Sequence, residues 1–241
     1  RSSDLEPLEM EFGWNRTSTS LAITVNLVFY GLTAPFAAVL MERFTVRRVV
    51  AIALGLIALG TGLTLSMTQV WQLVLYWGVF VGFGTGCLAL VFGAIVANRW
   101  FESRRGLVTG IFSAAYATGQ LLFLPLIAHL VMESGWQIGS LVVTLLVAAL
   151  IPIFFFLFKE RPADVGLLPY GATEPRVEEQ APRTVKATLT TLTEAFRSKA
   201  FWVLAGTFFV CGWTTNGLIG AHFIPAAHDH GMPATTAASL L

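Results

Sequence analysis

Long uncharged apolar runs recur along the whole chain and predict its elements. A helix needs roughly 20 residues to cross about 30 Å of hydrocarbon. The runs of that length cover about residues 18–41, 49–69, 72–98, 106–131, 136–158 and 200–226. Each run is continuous rather than alternating and is longer than a barrel strand requires, so the pattern predicts helices. A seventh span is expected to begin near Pro233.

The composition indicates a membrane protein. Hydrophobic residues make up 55% of the chain and charged residues 12%, with a mean hydropathy of +0.71, whereas soluble domains carry about 25% charged residues. All the charges can be placed outside the six runs. We therefore predict an all-α, polytopic membrane helix bundle whose main partner is the lipid bilayer. The net charge of +1 and the lack of a basic patch with interleaved aromatic residues give no reason to expect a nucleic-acid partner.

The distribution of Lys and Arg predicts the orientation of the bundle. Thirteen of the 15 basic residues fall in the segments after the first, third and fifth runs. Because positive loops face the cytoplasm, loops 42–48, 99–105 and 159–199 are predicted to be cytoplasmic. We expect an integral protein of a bacterial inner membrane.

The chain divides into four predicted segments. Residues 1–17 form an extracytoplasmic segment, 18–158 a first helix bundle, 159–199 a cytoplasmic linker and 200–241 the start of a second bundle. The linker contains Pro162, Pro169, Pro175 and Pro182. Its first half is predicted to be either an ordered connection or an unstructured tether. Its second half, from Val185 to Arg197, has the spacing of an amphipathic helix, with Leu189, Leu192 and Phe196 on one face.

Four stretches carry a resemblance to a known family. The segment Ala38–Arg48 resembles the signature loop of the major facilitator superfamily, although Ala38 and Thr45 replace glycines and Glu42 replaces an aspartate. Asn98–Gly106, continuing to Gly110 and Ala114, is similar to the monocarboxylate and oxalate–formate antiporter-like branch. So are Phe12–Arg16 and Pro162–Leu167. The resemblance implies that the six spans are family helices two to seven of a twelve-helix transporter, of which this chain would be a fragment.

The resemblance also implies a role for the basic loops. A carboxylate at a cytoplasmic helix end can pair with arginines of a neighbouring loop and hold a transporter closed on the inside. The residues of this predicted gating loop are Glu42, Arg43, Arg47, Arg104 and Arg105. The alternative is that these arginines only follow the positive-inside rule and contact lipid headgroups.

Polar residues inside the spans are candidates for solute contacts, because such residues are costly in hydrocarbon and are often functional. The candidates are Asn26, Tyr30, Tyr116, Gln120, Trp213, Thr214, Asn216 and His222. Each can instead be a contact between helices, worth about 0.6 kcal/mol on average. No Asp, Glu, Lys or Arg lies inside the six runs, and His222 is the one titrating group expected near a pathway.

Small residues at four-residue spacing predict close helix packing. Gly78, Gly82 and Gly86 form one row in the third run, and Gly106, Gly110 and Ala114 form another in the fourth. In lipid, such rows let neighbouring backbones approach each other. The rows suit either static packing or helices that slide during alternating access.

The favoured function is secondary active transport of a small solute. The branch resemblance implies a small organic anion such as a monocarboxylate, with a co-transported or exchanged ion as a further partner. A drug or sugar/proton carrier of the same superfamily is the alternative, and an intramembrane enzyme or a channel is less favoured. Catalytic residues, a metal site and a cofactor are not expected. The sequence shows no paired carboxylates at membrane depth, and His228 and His230 are read as part of a solvated turn.

Overall fold

A computed structural model describes residues 12–88, 90–174 and 185–220, together with positions 223, 226–227, 230–232, 236–237 and 240. It contains five helices that are long and apolar enough to cross a membrane. They are α1 (Arg16–Phe44), α2 (Val46–Thr64), α3 (Val70–Trp100), α4 (Arg105–Ser134) and α5 (Trp136–Leu157). Hydrocarbon offers the backbone no hydrogen-bond partners, so an apolar run satisfies its own N–H and C=O groups as a helix. Five of the six predicted spans are thereby confirmed.

The ends of α2 differ from the predicted ones. Helix α1 continues through Glu42 and Arg43 to Phe44, so Thr45 alone separates it from α2. At its other end α2 stops at Thr64, five residues before the predicted end at position 69. The difference arises because the polar residues after Leu65 form a hydrogen-bonded turn.

The described residues directly after α5 form an ordered connection rather than an unstructured tether. A single 3-10 turn covers Pro162–Val165, and Gly166 follows it with a positive φ of 71°. We call residues 159–171 the strap. Beyond it come α6 (Val185–Phe196), which confirms the predicted linker helix, and α7 (Lys199–Gly212), which continues as a π-helical turn over Trp213–Gly220. The later part of the sixth span lies largely outside the described residues and stays a prediction.

The chain forms two compact units. The larger contains Thr17–Ala115 and Ser140–Val185, and the smaller contains Arg1–Arg16, Tyr116–Gly139 and Lys186–Leu241. The buried core of the larger unit lies where α1 ends and α2 begins. Its members are Ala37, Met41, Val46, Val49, Val50, Ala53 and Cys87.

Helices α1 and α3 are in direct backbone contact along the predicted glycine row. A methyl group on Gly82 would lie 2.7 Å from the Asn26 carbonyl oxygen, and one on Gly86 would lie 2.7 Å from that of Tyr30. These distances are too short for any side chain, so the row is needed for the crossing. The close packing predicted for α3 is thus confirmed. On α4, a methyl group on Gly106 or Gly110 would meet nothing within 4 Å among the described residues.

Helix α3 is not α-helical throughout. Residues Val74–Val81 form a π-helix between two α-helical parts. In a π-helix each N–H donates to the carbonyl five residues earlier, and such segments often occur at functional sites. The glycine row begins inside this segment, at Gly78.

Candidate functional site

The carboxylate of Glu160 joins three segments at one end of the larger unit. It accepts hydrogen bonds from the backbone N–H of Val46 at 3.1 Å and of Arg47 at 2.6 Å. It also forms an ion pair with Nη1 of Arg99 at 3.2 Å. The two side chains are only 15% and 20% exposed. We call this arrangement the Glu160 junction.

The junction supplies what the start of α2 lacks. The first N–H groups of a helix have no partner within it, and the helix dipole places positive charge there. Thr45 precedes α2 but makes no capping hydrogen bond with its side chain. Glu160, which lies 114 residues further along than Val46, takes that role.

Thr45 itself has an unusual backbone conformation. Its φ is 75° and its ψ is 144°, a region that glycine adopts easily and that costs other residues about 1–3 kcal/mol. Such a conformation persists only when the surroundings enforce it. Here the buried Val46 and the two hydrogen bonds to Glu160 hold the backbone on the far side of the turn.

The strap continues from the junction to the loop between α3 and α4. The Tyr170 N–H donates to the Trp100 carbonyl at 2.8 Å, and the Tyr170 carbonyl accepts from the N–H of Glu102 at 2.9 Å. The rings of Tyr170 and Phe101 also pack, with centroids 6.0 Å apart. The three segments predicted to share one side of the membrane therefore meet, and we call this side of the larger unit the basic end.

The structure places the predicted gating residues around the basic end. The guanidinium of Arg43 lies over the ring of Phe44, and that of Arg47 lies 4.8 Å from the ring centroid of Phe155. Nε of Arg105 donates to the Phe101 carbonyl at 2.7 Å. Arg104, in the loop before α4, has a positive φ of 59°. Glu42 is half-buried in the last turn of α1. A latch between Glu42 or Arg43 and the α4 arginines stays a prediction.

Asn26 contacts the π-helical segment of α3. Its amide Nδ2 donates to the Trp77 carbonyl at 2.8 Å. The amide of α1 thus contacts a backbone carbonyl of α3, which favours the predicted alternative of a contact between helices. Tyr30, one turn further along α1, is 39% exposed.

The remaining solute-contact candidates lie in the smaller unit. Nε2 of Gln120 donates to the Tyr116 hydroxyl at 3.3 Å, so these two predicted neighbours are paired on α4. Trp213 is 66% exposed, and the Thr214 hydroxyl donates to the Val210 carbonyl at 2.9 Å. Both residues fall in the π-helical segment that follows α7. The side chain of Asn216 and the whole of His222 lie outside the described residues.

Comparison with known proteins identifies the family. The profile of the Major Facilitator Superfamily matches residues 5–241. The chain belongs to this superfamily. In the stretch Ala38–Arg48, which resembles the superfamily's signature loop, Thr45 stands at a glycine position. Its positive φ of 75° is one that glycine readily adopts.

Individual relatives within the superfamily support the same branch. An uncharacterized MFS-type transporter, YcxA of Bacillus subtilis, is 23% identical over 98% of this chain and 56% of its own length. The oxalate:formate antiporter of Oxalobacter formigenes is 25% identical over 95% of the chain and 51% of its length. Monocarboxylate transporter 4 of Mus musculus is 28% identical over 96% and 47%. The chain thus spans about half the length of these superfamily relatives.

One polar cluster in this superfamily member was not predicted. The hydroxyls of Thr64 and Ser140 are 2.9 Å apart, and Thr144 donates to the Thr61 hydroxyl at 2.8 Å. Ser140 also donates to the Thr61 carbonyl at 3.0 Å. The cluster ties the end of α2 to the start of α5. Its sign in the sequence is weak: hydroxyl residues spaced by three in one run and by four in another.

Glu160 was missed as well, although it has a recognisable setting. It lies between Lys159 and Arg161 directly after an apolar run. Its pairing with the start of α2 could not be deduced from that position alone. Among the described residues, no group of three or more His, Cys, Asp and Glu side chains is arranged to hold a metal ion.

Proposed function

We propose that this chain is part of a secondary active transporter that moves a small organic anion by alternating access. The observation that carries the proposal is the Glu160 junction in a superfamily member. It ties the start of α2, the end of α3 and the strap together. In alternating access, groups of helices rock around a solute site near mid-membrane. Helices that are joined at one end in this way are suited to move together as one body.

The substrate class in this proposal comes from the relatives. Two of them are named for oxalate and formate and for monocarboxylates, and we propose a solute of the same chemistry here. The neutral hydrogen-bonding groups of Tyr116 and Gln120, which are paired on α4, would contact it. The positive charge that an anion requires would then come from helices that correspond to the other half of the relatives, because the six predicted spans contain no Lys or Arg.

The topology belongs to the same proposal. Residues 18–158 would contribute to the first bundle and residues 200–241 to the second, with 159–199 as the cytoplasmic linker and 1–17 on the opposite side. The structure supports a shared side for residues 42–48, residues 99–105 and the strap, since they contact one another. A bacterial inner membrane is the proposed location.

Counterflow in proteoliposomes tests the transport proposal. The full-length protein is purified and reconstituted, and the proteoliposomes are loaded with unlabelled formate, oxalate or lactate. Uptake of the labelled compound into them is then followed. Saturable uptake of at least one carboxylate, absent from protein-free vesicles and not inhibited by a neutral sugar, is the expected result. Counterflow of a sugar or a cationic drug without counterflow of any carboxylate would contradict the proposed substrate class.

The gating role of Glu42 is a separate part of the proposal. Glu42→Gln removes the carboxylate from the end of α1 and should slow counterflow while expression stays normal. Glu102→Gln is the matched control, because Glu102 also lies at the basic end but contacts Tyr170 through its backbone N–H. Equal rates for the two variants would remove the latch while leaving the transporter proposal intact.

A further inference from the structure

An open apolar pocket lies at the basic end, between the last turns of α3 and the residues that follow α5. Its volume is about 370 Å³, which falls within the range of small-molecule pockets. It is lined by Val96, Trp100, Phe101, Leu157, Phe158 and Lys159. Five of these side chains are apolar or aromatic, and Lys159 supplies the one charge.

The pocket has one apolar and one polar end. Leu157 is the last residue of α5 and Trp100 the last of α3, so both mark the level at which the spans leave the hydrocarbon. Val96 lies one helical turn deeper, and Lys159 lies just beyond. Tryptophan is enriched at this level because its amphipathic ring suits the headgroup region. The pocket therefore extends from hydrocarbon depth to headgroup depth.

The charge at the polar end is positive. The acid next to Lys159 in the sequence, Glu160, is already engaged by Arg99 and by two backbone N–H groups. Lys159 is exposed and enters neither of the ion pairs found in the described part of the chain, Arg99–Glu160 and His129–Glu133. An occupant with a negative headgroup would thus meet an uncompensated cation.

We propose that this pocket binds one anionic phospholipid. An acyl chain would lie against Val96, Leu157 and Phe158, and the headgroup phosphate would contact Lys159. Basic pockets between spanning helices are known to accept anionic headgroups. The apolar lining sets this site apart from one for a free phosphate, which would gain nothing from Leu157 and Phe158. The site does not depend on which solute the protein carries.

Native mass spectrometry of the purified full-length protein tests the site. The probes are phosphatidylglycerol and phosphatidylcholine with identical acyl chains, added in equal amounts to the detergent solution. We expect the protein to retain phosphatidylglycerol preferentially. Lys159→Gln should lower that retention about fivefold, the effect of removing roughly 1 kcal/mol of attraction per Lys. Lys199→Gln is the matched control, because it removes an equal charge at the exposed start of α7 and should change nothing.

A second variant separates the pocket from the charge. Val96→Phe fills the apolar end and leaves Lys159 in place, so it should also reduce retention. Quenching by phosphatidylglycerol with brominated acyl chains gives an independent readout, since Trp100 lines the pocket. Trp100→Phe should remove a strongly quenched part of the fluorescence. Equal retention of the two lipids, or retention unaffected by either Lys159→Gln or Val96→Phe, would overturn the site. Quenching that is unchanged in Trp100→Phe would do the same.

Discussion

The two ends of α2 are held in different ways. At its start, one strained residue makes the turn from α1, and the partner that fixes the helix is a carboxylate 114 residues away. At its other end, neutral hydroxyls join α2 to α5, and the turn towards α3 is built from its own residues. There Oε1 of Gln72 accepts the N–H groups of Thr68 at 2.7 Å and Gln69 at 2.9 Å. One end depends on a distant charge, whereas the other depends on small local or neutral contacts.

The difference has a consequence for how movements reach α2. A movement of the strap would move the start of the helix, because Glu160 belongs to the strap and accepts hydrogen bonds from two N–H groups of α2. The opposite end has no link of this kind to a charged group in the contacts described. The basic end is therefore where the strap contacts the start of α2.

The largest expected effect is at the junction. Glu160→Ala leaves Arg99 without its carboxylate and two helix N–H groups without an acceptor, and both losses are costly when mostly buried. We expect the free energy of unfolding to fall by about 2–3 kcal/mol in Glu160→Ala and by a smaller amount in Glu160→Gln. Unfolding in mixed detergent micelles, followed by circular dichroism, measures it. The control is Glu133→Ala, whose partner His129 is 59% exposed and which should cost at most about 0.5 kcal/mol. Equal effects would mean that the junction does not hold α2.

The next effect concerns the strained turn. Thr45→Gly relieves a conformation that costs about 1–3 kcal/mol and adds chain entropy to the unfolded state worth about 0.5–1 kcal/mol. The net expectation is a gain of about 1 kcal/mol in the same unfolding measurement. Thr68→Gly, in the locally built turn, should instead be neutral or destabilising, because Thr68 is not among the residues with positive φ. Loss of stability in Thr45→Gly would show that the contacts of the Thr45 side chain contribute more than the relief of backbone strain.

The hydroxyl cluster should be worth less than the charge at the other end. Thr61→Val removes the acceptor of Thr144 and keeps the shape of the side chain. Hydrogen bonds between membrane helices average about 0.6 kcal/mol, so a loss of about 0.5–1 kcal/mol is expected. Thr109→Val is a suitable control, since its hydroxyl donates only within α4. A loss as large as that in Glu160→Ala would reverse the contrast between the two ends.

The smallest expected effect is in the turn between α2 and α3. Gln72→Ala removes the acceptor of the local capping arrangement, and such caps are worth about 0.5–1 kcal/mol at most sites. The turn is solvent-exposed, so water replaces the lost oxygen and the expected loss is about 0.5 kcal/mol. Thermal melting in detergent measures the loss. A larger loss would mean that this turn, too, is coupled to distant parts.

These contrasts also explain which features were predictable. Five spans follow from uncharged runs, because hydrocarbon admits few other backbone arrangements. The close packing of α3 follows from the spacing of Gly78, Gly82 and Gly86, although this spacing does not identify α1 as the partner. The partner of Glu160 does not follow, because nothing near that residue specifies a contact more than 100 residues away. The conformation of Thr45 is hidden for a different reason: threonine rarely adopts it, and only the resemblance to a glycine-containing loop hints at it.

The candidate site was predicted less completely than the fold. Tyr116 and Gln120 are paired because they lie four residues apart on one helix, a relation that spacing reveals. Asn26 was predicted to contact either a solute or another helix. The contact observed is with a backbone carbonyl in a π-helix that the sequence pattern does not reveal. Which of these side chains meets a solute stays a prediction, because Asn26 and Tyr30 belong to one unit and the others to the second.

The π-helical segment of α3 determines which way the later residues of that helix face. Successive residues of an α-helix are rotated by about 100° around its axis. If Val74–Val81 closed up into ordinary α-helical turns with a one-residue change of phase, Gly82 and Gly86 would swing away from α1, and bulkier neighbours would take their place. The close crossing of α1 and α3 thus depends on the π-helical residues Val74–Val81, which set the direction in which Gly82 and Gly86 face.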